Sequence, residues 1–454
     1  MKNNPIPYPK HTKTIHMIKQ LSLLVLLALP LGLSAQTQVR TETLLEKGWK
    51  FTREDNTQFK DTQCDDSQWQ SVRIPHDWAI YGPFSINNDK HNTAIVQDGQ
   101  KEAMEHAGRT GGLPFVGTGW YRRSFEVPQS IEGKKYTLIF DGAMSHARVY
   151  INGQEACYWP NGYNTFFVDA TPYLRPGESN LLAVRLENFT ESSRWYPGAG
   201  LYRNVHLVVT DEAHVPVWGT QIITTDLNDR YAKVTQSTSW EMPEGKSMSD
   251  YVIETSIVDP SGKTITTDRM RGSNFDHNTF NQEFVVEQPA VWTPETPNLY
   301  TSVSKVYEGN ELKDEYTTTF GIRTVEVRQG EGFFLNGKPL KFKGVCNHHD
   351  LGPLGGIVNE AGIRRQIRML KEMGCNAIRT SHNMPAPELV RLCDEMGMMV
   401  MAESFDEWAT AKVQNGYHLV FNEWAEKDLV NLVRHYRNNP SVVMWCIGNE
   451  VPDQ

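Results

Sequence analysis

The chain has no surplus of basic charge, no CxxC pair and, past its first 35 residues, no long apolar run. Each absence removes a class of function. Lys and Arg total 45 against 54 Asp and Glu, a net charge of -9. Nucleic acid and anionic lipid both need a basic face, so neither is an expected partner. The six cysteines (Cys64, Cys157, Cys346, Cys375, Cys393, Cys446) show no metal-like spacing. Four of them fall inside apolar strand or helix segments, which predicts buried free thiols rather than disulfides. No metal and no cofactor is expected. After residue 35 nothing approaches the ~20 apolar residues of a membrane span. What remains, 39% hydrophobic and 22% charged, is the composition of a folded globular protein.

The N-terminus is the exception. Lys19 precedes an apolar stretch from Leu21 to Leu33, broken by Pro30, and Leu33-Ser34-Ala35 has the small-residue ending of a cleavage site. This pattern predicts a signal peptide over residues 1–35, cut near Ala35, and hence a secreted or periplasmic protein. Met17 is a plausible true start. The alternative is an uncleaved anchor.

At 454 residues the chain is too long for one core, and ~150 residues per domain predicts about three. Residues 36–212 read as short alternating strands. Tyr136–Phe140, Asn180–Leu186 and Asn204–Val209 are examples, and Ala147–Ile151 ends in Asn152-Gly153, a type I′ hairpin signal. They predict a jelly-roll β-sandwich. Residues 213–327 carry strands at Lys233–Ser239, Tyr251–Val258, Phe284–Glu287 and Tyr300–Tyr307, which suit an immunoglobulin-like β-sandwich. From 328 to 454 the rhythm changes. Strands at Leu340–Val345, Cys375–Arg379, Met398–Ala402 and Ser441–Ile447 alternate with helices at Ala361–Met373, Pro387–Met396 and Asn422–Arg437. Such alternation means a parallel sheet, and these steps make the first half of a (β/α)8 TIM barrel.

In such barrels reactive side chains collect where strands end. Those ends read Asn347-His348-His349-Asp350, Arg379-Thr380-Ser381-His382, Glu403 to Trp408, and Asn449-Glu450. Glu450 follows an apolar strand and lies near Trp445. There its carboxyl is expected to be partly desolvated and protonated, as a general acid requires. Asn449 can hydrogen-bond a sugar hydroxyl.

Asn376-Ala377-Ile378-Arg379-Thr380-Ser381-His382 with Pro385, and Arg437 through Glu450, resemble the two signatures of glycoside hydrolase family 2. Ile74-Pro75-His76-Asp77-Trp78, Gly119-Trp120-Tyr121-Arg122-Arg123 and Arg194 through Arg203 resemble its sugar-binding sandwich. Trp292 to Tyr300 and Phe320-Gly321-Ile322-Arg323 resemble the close of its middle domain. The resemblance implies a retaining glycosidase with Glu450 as acid/base and Asn449 beside the hydroxyl next to the anomeric carbon. His348 and His382 would contact the sugar, and Arg379 would orient the catalytic carboxylates. The paired histidines favour a β-galactoside. Asn439 and Cys446 depart from the family pattern at positions that carry no chemistry, and Glu407 is near a metal-binding glutamate of some members. The family's nucleophile is a later glutamate, so residues 1–454 are expected to be an inactive N-terminal fragment of the enzyme. The expected partner is an oligosaccharide or glycoside, and the full-length enzyme could form an oligomer. Alternatives are a β-glucuronidase or β-mannosidase, or a non-catalytic carbohydrate-binding remnant.

Overall fold

The structure is a computed structural model. It describes residues 38–85, 88, 90, 91, 107, 108 and 115–451; the signal segment expected over 1–35 lies outside them.

The first sandwich has a four-stranded sheet, ordered Thr41–Leu44, Val205–Asp211, Lys134–Phe140 and Phe166–Asp169. A six-stranded sheet faces it, ordered Gln70–Val72, Trp49–Thr52, Gly117–Glu126, Ser179–Asn188, Ala147–Ile151 and Gln154–Trp159. Alternation along each strand sends Trp49, Tyr121, Leu138, Phe140, Val149, Phe166 and Val184 into one core. The Ala147–Ile151 hairpin closes at Asn152 and Gly153, with φ of 51° and 86°, the pair of left-handed residues that a type I′ turn needs.

The second sandwich pairs a three-stranded sheet (Thr220–Leu227, Tyr231–Ser239, Thr279–Glu287) with a four-stranded one (Thr264–Arg271, Tyr251–Val258, Tyr300–Glu308, Glu311–Phe320). Three of these strands escape a hydrophobicity reading: Thr220–Leu227, Thr264–Arg271 and Glu311–Phe320. All three are sheet edges. Edge strands carry polar and charged residues that discourage pairing with other chains, which removes the apolar signal.

A small antiparallel sheet (Val325–Arg328, Gly332–Leu335, Lys338–Pro339) leads into the barrel portion. There β1 (Gly344–Asn347), β2 (Ala377–Thr380), β3 (Met399–Glu403) and β4 (Val442–Cys446) lie parallel in that order. The first strand begins later than the expected Leu340, because the Leu340 N–H still bonds Phe333 of the small sheet at 3.0 Å. Helices α1 (Glu360–Glu372), α2 (Pro387–Met396) and α3 (Phe421–Tyr436) connect the strands. Asn359 caps α1 through the Gly362 N–H, Pro387 starts α2 and left-handed Gly397 ends it. Ile363, Ile367, Val390, Leu432 and Tyr436 of the helices meet Ile378, Val400 and Val442 of the strands. β4 is the sheet's edge, and Ile447 just beyond it is 56% exposed. Among the described residues no helix is long and apolar enough to cross a membrane.

Buried polar side chains fasten the barrel portion to the sandwiches. Fully buried Arg203 donates to the carbonyls of Asp141, Tyr163, Met384 and Pro385. Asp428 of α3 accepts from Trp159, Asn161, Asn164 and Tyr417. Arg323 donates to the carbonyls of Pro440 and Val442. All six cysteines are free, but burial is complete only at Cys393; Cys346 is exposed. The thiols are free, as expected, but four of them (Cys64, Cys157, Cys375, Cys446) are only half-buried, which corrects the expectation of burial.

Candidate active site

Parallel pairing aligns the four strand ends, and the side chains there form one connected rim. Arg379 at the end of β2 donates to Glu403 Oε1 (2.6 Å), at the end of β3, and to Asn449 Oδ1 (3.1 Å), beyond β4. Glu403 is fully buried; its second oxygen lies 3.2 Å from His382 Nδ1, and its N–H bonds the Thr380 hydroxyl. The His348 and His382 rings stand perpendicular, centroids 5.5 Å apart. Trp195 of the first sandwich touches both, at 4.9 and 5.8 Å. Burial, with His382 alongside, holds His348 below the usual imidazole range, which favours a neutral ring.

Asn449 is almost fully buried, and both ends of its amide are engaged. Its Nδ2 donates to Asp406 Oδ1 at 2.9 Å. Burial pushes Asp406 upward, but bonds from Arg194 and Asn449 outweigh it and hold the carboxylate below its ordinary value. Arg194, also from the sandwich, grips Asp406 with two nitrogens (2.9 and 2.5 Å). A cleft opens beside this network, between the barrel portion and the first sandwich. His382, Asp406 and Glu407 line it from the barrel side, and His146, Tyr163 and Trp195 from the sandwich.

Arg379, His382 and Asn449 are therefore brought together by hydrogen bonds, and His348 joins them by ring contact. Glu450 is placed differently from expectation. Its side chain is 72% exposed rather than desolvated against Trp445, and its nearest cation is Arg194, 3.6 Å from Oε2. The chain turns at Glu450 (φ 46°), a few residues past β4. Arg379 orients Glu403 and Asn449, and no bond joins it to Glu450. Glu407 is buried and serves its own loop, accepting from the Lys412 and His418 N–H groups and the His418 ring. Among the described residues no group of three or more His, Cys, Asp or Glu is placed to hold a metal. Asn439 donates to Asp394 (2.5 Å), and the Cys446 thiol to the Gly448 carbonyl (3.4 Å).

Sequence reasoning did not single out Arg194, Trp195, Glu403 or Asp406 as site residues. Glu403 and Asp406 had a signal, as acids at the end of β3. Arg194 and Trp195 had none of that kind, since they reach the barrel rim from a separate domain.

Residues 43–211 match the family model for the sugar binding domain of glycosyl hydrolases family 2. Residues 217–323 match the model for glycosyl hydrolases family 2, and residues 325–454 the model for that family's TIM barrel domain. The chain belongs to glycoside hydrolase family 2. It is 42% identical over 409 residues to a β-galactosidase of Bacteroides ovatus, covering 89% of this chain and 46% of that protein. It is 34% identical over 412 residues to a putative β-glucuronidase of Formosa agariphila, covering 90% of this chain and 37% of that one. The crystal structure of a β-glycosidase from Bacteroides vulgatus superimposes with a TM-score of 0.80 at 34% identity, covering 91% of this chain and 51% of that chain. The chain thus spans about half the length, or less, of these relatives.

Proposed function

We propose that this chain carries the acid/base half of the active site of a retaining β-galactosidase. One observation carries the reading: the Asn449-Glu450 pair follows the tip of a parallel strand, with Asn449 locked between Arg379 and Asp406. Glu450 donates its proton to the glycosidic oxygen as the bond to the anomeric carbon breaks, and later takes a proton from the attacking water. Asn449, His348 and His382 meet the sugar hydroxyls, and Arg379 holds Glu403 and Asn449 in place. The attacking carboxylate, ~5 Å from the acid in a retaining enzyme, comes from a later barrel strand beyond residue 454.

Among the described residues, the cations of this part of the rim already have partners. Arg379 is committed to Glu403, Arg194 to Asp406 and Glu450, and Lys412 to the carbonyl oxygens of Asp406 and Asn449. A glucuronide carboxylate would have to compete with those partners for each of them. The apolar N-terminal run supports export before action.

The test compares aryl β-galactoside, β-glucuronide and β-mannoside hydrolysis by the protein expressed from its complete gene. A galactoside preference, lost by ~10²-fold or more in Glu450→Gln, is expected. Preference for the glucuronide would replace the galactoside reading. Residues 36–454 alone are expected to hydrolyse none of the three, and measurable turnover by them would overturn the assignment of the nucleophile to a later strand.

A further inference from the structure

We infer that Arg194, reaching in from the first sandwich, is a positioning residue for proton donation at the barrel rim. The inference rests on the reading of Glu450 as acid/base. The guanidinium makes a two-pronged grip on Asp406, Nε to Oδ2 at 2.9 Å and Nη2 to Oδ1 at 2.5 Å. Its Nη2 is also 3.6 Å from Glu450 Oε2. A fork bonded this way has a fixed plane, so the nitrogen nearest Glu450 has a fixed position as well.

The same carboxylate holds the preceding residue. Asp406 Oδ1 accepts from Asn449 Nδ2, and Lys412, 3.4 Å from that oxygen, donates to the backbone carbonyls of Asn449 and Asp406. Asn449 is thereby held by side chain and backbone. Glu450, one residue further and largely exposed, has Arg194 as its ion-pair partner. A glutamate side chain has three rotatable bonds and, unless held, samples several rotamers. A cation anchored elsewhere narrows that set, and misplacement by ~1 Å can cost ~10²-fold in rate. Arg194 belongs to a different domain from the acid, so docking of the sandwich and placement of the proton donor are one event.

A positioning role predicts a dependence on the leaving group. A 2,4-dinitrophenolate departs without a proton, whereas an alkoxide requires one. In the protein expressed from its complete gene, Arg194→Met should lower kcat/KM for an alkyl β-galactoside by about 10- to 100-fold, and for the dinitrophenyl β-galactoside by only a few-fold. Arg194→Lys, which keeps charge without the fork, should lie between wild type and Arg194→Met. Asp406→Asn loosens Asn449 as well as Arg194, so it should lower kcat/KM for both substrates, with the larger loss on the alkyl β-galactoside. Glu450→Gln is the reference and should show the largest difference between the two substrates. Equal losses on both substrates in Arg194→Met and Arg194→Lys, or none, while Glu450→Gln remains selective, would overturn the inference alone. Absence of selectivity in Glu450→Gln would overturn the acid/base reading, and this inference with it.

Discussion

Arg203→Met is the sharpest test of how the sandwich holds the catalytic rim. Arg203 is fully buried and donates to four carbonyl oxygens, Tyr163 at 2.7 Å, Met384 at 2.9 Å, Pro385 at 3.1 Å and Asp141 at 3.2 Å. Two belong to the segment immediately after His382, so the residue fixes both the domain junction and the histidine loop. Hydrogen bonds from a charged donor contribute about 1.5–3 kcal/mol each, roughly 6–12 kcal/mol for four. Relief of the cost of burying a guanidinium offsets much of this, and methionine refills part of the volume. A net loss of about 3–5 kcal/mol remains, the usual size when one partner of a buried charged cluster is removed. For a cooperative unit of this size that lowers the melting temperature by about 3–6 °C. The assay is thermal unfolding followed by intrinsic fluorescence, with limited proteolysis near residue 384 at 25 °C. Accelerated cleavage there and an earlier melt are expected. A variant melting within ~2 °C of wild type, with unchanged proteolysis, would show that water satisfies those carbonyls and that the docking argument is wrong.

Three further outcomes follow from the same reasoning. His206 sits between Asp141 (3.1 Å) and Glu42 (2.9 Å); burial works against its charge, but these bonds push its pKa up to about 10. The stabilisation is thus fully present below about pH 6.5 and is lost as pH rises through about 10. Because Glu42 is 60% exposed, it is worth about 2 kcal/mol after solvent screening, and urea midpoints of His206→Gln and wild type should converge between pH 7 and 10. Asp428→Ala leaves the donors of Trp159, Asn161 and Asn164 facing a cavity, so a loss of about 3–5 kcal/mol by chemical denaturation is expected. Gly200 has φ 91°, and an added Cβ would meet the Tyr121 hydroxyl and, at 2.7 Å, the His76 carbonyl oxygen. Gly200→Ala should therefore cost about 3 kcal/mol, read as a lower melting temperature, whereas Gly245→Ala, with open space around it, should cost only about 1–2 kcal/mol of backbone strain.

Period and punctuation alone determined much of this protein. Apolar runs of four to seven residues between helical patterns located β2, β3, β4 and all three helices to within about two residues, because buried parallel strands and amphipathic helices leave unmistakable rhythms. Asn152-Gly153 announced its hairpin, and the polar ends of the barrel strands marked the rim on which the family resemblance then picked out His348, Arg379, His382, Asn449 and Glu450. Tertiary structure decided what local pattern cannot encode. Edge strands such as Thr264–Arg271 are recognised by their place in a sheet, not by their own polar sequence. Glu450 stands 3.6 Å from Arg194, a pairing across more than 250 residues that no local pattern announces. Arg194 and Trp195 meet the barrel rim more than 150 residues along the chain, and such a contact exists only once two independently patterned domains have docked.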